Sequence, residues 1–211
     1  DVFGYGLLDA TTALNGPKRL DYGTSKFYVP NTKTWVFKNN IYGSYTDLEK
    51  SGKGTLVLEG KNSFYKIKVD GGTLILKGYN TSRYETIIKN GTLDVKRKFT
   101  PRNIEIETDG TLITNPNTVI GEITKDYYTN EITVNVAVNI VNKGTLKNIG
   151  KGAIITGNYT AKYGSVTEAE IGSKLIVKGT IKIDGRERNQ TLGSSVKLLS
   201  NGYVTATPTT S

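Results

Sequence analysis

Apolar residues recur along this chain at alternate positions, in short bursts that follow a glycine. In Thr55-Leu56-Val57-Leu58-Glu59, Leu56 and Leu58 fall on one side of an extended chain while Thr55 and Glu59 fall on the other. Leu74 with Leu76, and Leu93 with Val95, repeat the arrangement. A second apolar pair precedes the glycine, as Ile67 and Val69 before Asp70-Gly71-Gly72, or Ile104 and Ile106 before Asp109-Gly110. Each unit therefore predicts at least two strands joined by a glycine turn. The opening Gly-Thr-Leu stands at 54, 72, 91, 110 and 144, and the first four copies lie 18 or 19 residues apart. A near-constant period of that length marks stacked supersecondary units.

A period of about 19 residues at about 3.3 Å per strand residue gives a contour near 60 Å, enough for a three-sided coil with sides of about six residues. The pattern thus predicts an all-β fold, a parallel β-helix (β-solenoid) whose rungs stack about 4.8 Å apart. Leu56, Leu74 and Leu93 would lie over one another, each burial contributing roughly 1.5–3 kcal/mol. A two-stranded hairpin has the same period, so spacing alone leaves an antiparallel meander open.

Along the chain, residues 1–18 read as a separate unit. Leu7 to Leu14 has apolar residues at helical spacing before Gly16-Pro17, which predicts a short helix ending there. Residues 19–53 read as a junction or cap punctuated by Pro30, Asn31, Asn39 and Asn40. In it, Trp35 beside Phe37 is expected to plug the open end of the apolar stack, ligand stacking being the other reading. The β-helix is expected over 54–204 and a polar tail over 205–211. The 34-residue step from 110 to 144 predicts one degenerate rung, with a protruding loop in 115–130 around Pro116, Asn117 and Tyr127-Tyr128. Ile132, Val134, Val136, Val138 and Ile140 alternate over nine residues as one long strand. Leu175 with Val177, Ile181 with Ile183, and Val196 with Leu198 continue the inward pairs. Asn90-Gly91, Asp184-Gly185 and Asn201-Gly202 read as turns whose Asn residues stack as ladders.

Composition narrows the chemistry. With no Cys there is no disulfide framework, thiolate metal site or cysteine nucleophile, and with no His a Ser-His-Asp triad cannot be built from these 211 residues. Ser51, Ser165, Ser194 and Ser195 have only Lys or carboxylates as bases. Glu105, Glu107 and Asp109 alternate on one strand, as carboxylates of polysaccharide-cleaving β-helices do. Yet i and i+2 sit near 7 Å, wider than the 5–5.5 Å of a retaining pair, so outward acids balancing Lys on the next rung are the simpler reading. No calcium loop of the Asp-x-Asp-x-Asp-Gly type is present. No catalytic, metal or cofactor-binding residue is expected. The absence of Met, even at position 1, suggests an internal piece of a longer chain, and no run approaches the ~20 apolar residues of a membrane helix. The net charge of +9 raises nucleic acid as a partner. Lys66, Lys68, Lys77, Lys182 and Lys197, however, hold alternate strand positions, where outward lysines keep sheet edges soluble, so no nucleic acid is expected. Lys96-Arg97-Lys98 with Arg102 could hold a phosphate or surface glycan, but no aromatic platform is interleaved with it.

Two stretches carry resemblances. Gly4-Tyr5-Gly6-Leu7-Leu8-Asp9-Ala10-Thr11-Thr12-Ala13-Leu14 resembles the closing piece of subtilisin-like serine protease domains, whose catalytic Asp, His and Ser lie upstream and so match no position here; a helical cap of the solenoid is the alternative. Asn40-Ile41-Tyr42-Gly43, then Leu48-Glu49-Lys50-Ser51-Gly52-Lys53-Gly54-Thr55-Leu56-Val57-Leu58-Glu59-Gly60-Lys61-Asn62, then Gly71-Gly72-Thr73-Leu74, resembles the passenger-associated repeat of bacterial autotransporters. The pattern departs at Ser63-Phe64-Tyr65, where a Thr-Tyr-x-Gly turn is usual. Together they resemble a subtilisin-like serine protease autotransporter. That resemblance implies a non-catalytic β-helical stalk that supports secretion and folding and presents an upstream serine endopeptidase domain at the bacterial surface. It also implies a C-terminal membrane β-barrel in the same precursor and contact with a host surface or matrix. The alternatives are an adhesin or glycan-binding module, and a polysaccharide-cleaving enzyme working through Glu107.

Overall fold

The computed structural model describes residues 14–170 and 172–184, together with the backbone of 195–198 and 203–206. The helix expected over Leu7 to Leu14 lies outside them apart from Leu14, and so do Gly185, Ser194, Asn201 and Gly202 and the side chains of Ser195, Val196, Lys197 and Leu198.

The chain winds into a three-sided parallel β-solenoid of eight turns. The first face stacks β1 (Gly23–Tyr28), β4 (Thr46–Ser51), β7 (Ile67–Asp70), the first half of β10 (Glu85–Val95), the first half of β12 (Asn103–Thr114), β16 (Asn139–Asn142), β19 (Tyr159–Ala161) and β22 (Ile181–Ile183). The second stacks β2 (Thr34–Phe37), β5 (Thr55–Leu58), β8 (Thr73–Leu76), the second halves of β10 and β12, β17 (Thr145–Asn148), β20 (Val166–Ala169) and β23 (Ser195–Leu198). The third stacks β3 (Ile41–Gly43), β6 (Asn62–Phe64), β9 (Tyr79–Ser82), β11 (Lys98–Thr100), β13 (Val119–Ile120), β18 (Ala153–Ile155), β21 (Lys174–Val177) and β24 (Tyr203–Ala206). The antiparallel pair among the described residues is a hairpin, β14 (Glu122–Lys125) with β15 (Ile132–Val136). Every pairing within the stack is parallel, which removes the meander.

The Gly-Thr-Leu copies stack as their period predicts: Thr55, Thr73, Thr92, Thr111 and Thr145 are register partners, and so are Leu56, Leu74, Leu93, Leu112 and Leu146. All five leucines are fully buried. Trp35 is the register partner of Leu56 but is exposed over about two fifths of its surface, and it is Phe37 of the same strand that packs against the core. The glycine opening each copy is needed where rungs approach most closely. Gly72 has φ +60°, and a Cβ there would sit 2.3 Å from the Gly54 carbonyl oxygen.

Four expectations are corrected. The stack starts well before Gly54, because β1, β2 and β3 form a complete first rung out of the segment read as a junction. Phe37 and Ile41 supply the inward positions there without a Gly-Thr-Leu to mark them. No degenerate rung hides between 110 and 144: Thr111 pairs directly with Thr145, and the added length is the hairpin, which leaves the stack after β13 and rejoins it at β16. The alternation from Ile132 to Ile140 therefore spans two strands, with Ile132 and Val134 on the exposed hairpin and Val138 and Ile140 in the core. At the far end β24 takes Thr205 and Ala206 into the third face, ahead of the polar tail.

Most polar residues that reach the interior do so in hydrogen-bonded sets, the hydroxyls of Thr86, Ser165 and Ser173 being the exceptions among the described residues. Asn62 and Asn80 form a buried ladder on the third face: Asn62 Nδ2 donates to Asn80 Oδ1 at 2.7 Å, and Asn62 Oδ1 accepts from the Ile41 amide. This is the asparagine ladder of the solenoid, whereas Asn90-Gly91, read as a turn, runs within β10 around a corner. Tyr159, inside the first face, accepts from Asn142 Nδ2 and is hydrogen-bonded to Thr167 Oγ1, and burial pushes its phenol above the ordinary tyrosine range.

Lys50 is fully buried, among the largest such side chains of the described residues. It points inward, between Phe27 and Val69 in register, and its Nζ donates to the carbonyls of Ser51, Gly52 and Gly71, each at 2.9 Å. Three donors meet three carbonyls at the corner where two rungs turn, and burial pulls the ammonium below its ordinary value.

Two stability outcomes follow. Leu74→Asp should cost several kcal/mol or abolish folding, since it buries an unpaired charge, while Thr73→Asp on the outer surface should stay within ~0.5 kcal/mol of wild type in urea unfolding. Lys50→Met should cost about 2–4 kcal/mol, because three buried carbonyls lose their donor; an unchanged urea midpoint would show that the corner does not need it.

Candidate interaction surface

The solenoid exposes three faces, and the sites expected from sequence fall on them unequally. Glu105 and Glu107 project outward from β12, and Glu105 pairs with Lys143 of the following rung, as expected for an outward acid. Asp109 does not join them. The strand turns a corner at Thr108, which alternation would send inward but which is exposed, and Asp109 lies beyond it opposite Asn90. The three acids thus form no cluster on one flat face, and among the described residues no group of three His, Cys, Asp or Glu side chains is placed to hold a metal. Ser51 contributes its carbonyl to Lys50, and the Ser165 hydroxyl is buried without a hydrogen-bond partner. All three Lys50 protons are directed at carbonyls, so this lysine is not a base for a serine.

Several outward lysines are paired with carboxylates within or between rungs. Lys66 pairs with Glu85, Lys68 with Asp70 and Glu49, Lys77 with Glu59, and both Lys162 and Lys182 with Asp184. Hydrogen bonds to Glu85, Asp70 and Glu105 hold Lys66, Lys68 and Lys143 above the usual lysine range. The Asp184 carboxyl is held low chiefly by Lys162.

The arginines of the third face behave differently. Arg83, Arg97 and Arg102 are exposed and form no ion pair among the described residues. Each guanidinium instead lies over a tyrosine ring: Arg83 over Tyr45 at 5.4 Å, Arg97 over Tyr79 at 5.5 Å and Arg102 over Tyr84 at 5.5 Å. Lysines approach two of the same rings, Lys61 at Tyr79 and Lys66 at Tyr84, and Tyr84 stacks on Tyr65 with centroids 5.2 Å apart. Arg97 and Arg102 flank β11, Arg83 follows β9 on the rung below, and Tyr79 is the register partner of Lys98.

Read linearly, the cluster Lys96-Arg97-Lys98 with Arg102 has no aromatic platform. The fold supplies one from neighbouring rungs. The signal was the period itself, since Lys61, Tyr79 and Lys98 lie 18 and 19 residues apart, as do Tyr65 and Tyr84. Beside this surface the chain forms a groove of about 420 Å³ lined by Tyr79, Arg97, Lys98, Pro116, Val119 and Ile123. Its far wall is the base of the hairpin, tied to the face by Lys98 to Glu122 at 2.7 Å. Gly121 makes that exit: it has φ +115°, and a Cβ there would collide with the Thr156 hydroxyl, which accepts from the Val138 amide as the chain returns. At the tip, Tyr127 and Tyr128 are almost wholly exposed, and Asp126 accepts from the amides of Tyr128 and Thr129, which lower its pKa.

No protein-family model matches the chain. It is similar to the Neisserial autotransporter lipoprotein NalP of Neisseria meningitidis serogroup B, 30% identical over 192 residues, both in strain MC58 and in the serotype 15 strain H44/76. The match takes in 87% of this chain and 14% of the relative, so the chain spans about a seventh of the length of the curated relatives it matches.

Because β14 and β15 pair only with each other among the described residues, and the hairpin meets the stack through Glu122 and Val136 at its base, replacing residues 123–134 with Gly-Ser should leave the urea midpoint within about 1 kcal/mol of wild type. A larger loss would show that the stack leans on the hairpin.

Proposed function

We propose that this chain is a non-catalytic stalk within the passenger of an autotransporter, carried to the outer face of a Gram-negative outer membrane. The single observation behind this reading is an uninterrupted parallel stack of eight rungs whose sequence follows an autotransporter over 87% of its length. Such a stack suits export in an unfolded state. Each rung gains its hydrogen bonds and buried leucine only from its neighbours, so folding propagates from one end as chain emerges, with no disulfide to close.

The finer reading concerns the upstream neighbour. Residues 4–14 resemble the end of a subtilisin-like serine protease domain, and on that basis the stalk presents such an endopeptidase away from the membrane, with a β-barrel following in the same precursor. The reading assigns hydrolysis to the upstream domain and none to these 211 residues.

The test is to place Leu74→Asp with Leu93→Asp in the precursor and count passenger on intact Gram-negative cells. Displayed passenger should fall roughly tenfold or more, while peptide hydrolysis per displayed molecule stays within about twofold. Unchanged display would overturn the stalk role, and peptide hydrolysis by the isolated chain would overturn the non-catalytic one.

A further inference from the structure

We infer that the third face, across β9 and β11, is a binding site for an anionic polysaccharide. The inference rests on the stack and its surface, and it stands whether or not the chain supports a protease.

The observations concern charge that is ordered yet unspent. Elsewhere on the stack cation and carboxylate close on one another, as Lys68 with Asp70, Lys77 with Glu59 and Lys143 with Glu105, and at the edges of this surface Lys66 and Lys98 are likewise held by Glu85 and Glu122. On this face Arg83, Arg97 and Arg102 form no ion pair with a carboxylate among the described residues, and their guanidinium groups lie over Tyr45, Tyr79 and Tyr84. A guanidinium laid on a ring keeps its N–H edge free and fixed in direction, and that edge is the fork that binds a carboxylate or sulfate through two hydrogen bonds. Arg97 and Arg102 flank the three-residue strand β11, at most roughly 16 Å apart, and Arg83 lies one rung from Arg102, roughly 4.8 Å along the stack. Three forks so placed fit a chain bearing repeated oxyanions and exceed the span of one small anion. The ring surfaces argue against a nucleic acid. Tyr79 is approached by both Lys61 and Arg97, and Tyr84 by Lys66, Arg102 and Tyr65, so neither offers the open platform on which bases stack. The groove of about 420 Å³ between Tyr79 and the hairpin base continues the surface, with Val119 and Ile123 as an apolar wall for a sugar's C–H face.

The test measures binding of the whole chain to heparin, polygalacturonate, neutral dextran and a 20-residue oligothymidylate at one ionic strength. The proposal expects saturable binding to heparin or polygalacturonate, the preferred one telling sulfate from carboxylate, and none to dextran. Arg83→Gln with Arg97→Gln and Arg102→Gln should weaken it about tenfold or more, whereas Lys26→Gln with Lys33→Gln and Lys53→Gln, an equal charge loss elsewhere, should change it less than about twofold. The triple Arg→Lys variant keeps the charge and should still lose several-fold, because the planar fork is gone. Thermal unfolding of each variant at the wild-type midpoint confirms that the stack is intact. Equal losses from the two Gln triples, full binding by the Lys triple, no binding to either polyanion, or tighter binding to the oligothymidylate would overturn the proposal.

Discussion

A single rung of this solenoid is a loop of chain with no inside. Its inward leucine, its backbone amides and its corner carbonyls are satisfied only when another rung lies above or below, and every stable feature follows from that dependence. Leu74 is dry because Leu56 and Leu93 cover it, Asn62 is bonded because Asn80 is one rung on, and the Lys50 ammonium is held because Gly71 of the next turn faces Ser51 and Gly52. In-register parallel pairing is therefore the constraint that admits or excludes a residue. A leucine, an asparagine that bonds its own image or a lysine with three carbonyls fits, and an unpartnered charge does not.

The same translation organises the outside. A residue 18 to 19 positions downstream is a neighbour in space, so charges and rings distant in sequence become rows. Two kinds of row result. Lys66 with Glu85 and Lys77 with Glu59 cancel, and contribute solubility more than binding. Arg83, Arg97 and Arg102 are instead steadied by aromatic rings, which fix geometry without consuming charge. A face of the second kind keeps its electrostatic reach.

Much of this was legible before any coordinates. The alternation Leu56/Leu58 and the return of Gly-Thr-Leu defined the rung, its inward residues and their order, because period 2 and period 19 are direct physical signatures of strand and coil. Illegibility had three sources. The first rung lacks the marker tripeptide, so Phe37 and Ile41 passed for a junction although they fill inward positions. Ile132 to Val136 alternates as a core strand does, yet it pairs with Glu122 to Lys125 off the stack; alternation reports an extended chain with two unlike sides, not which partner it meets. The arginine and tyrosine surface was missed because the eye reads neighbours along the chain, and here the relevant neighbour is a full turn away.

The hairpin carries one more implication. Sixteen residues, 122–137, leave the third face after Gly121 and return at Val138, yet Thr111 still meets Thr145 as though nothing intervened. The corner of a rung is thus an insertion port, where chain can be spliced in without the lattice registering its length. A molecule built this way acquires appendages by lengthening corners, one at a time, while its axial scaffold keeps the same repeat.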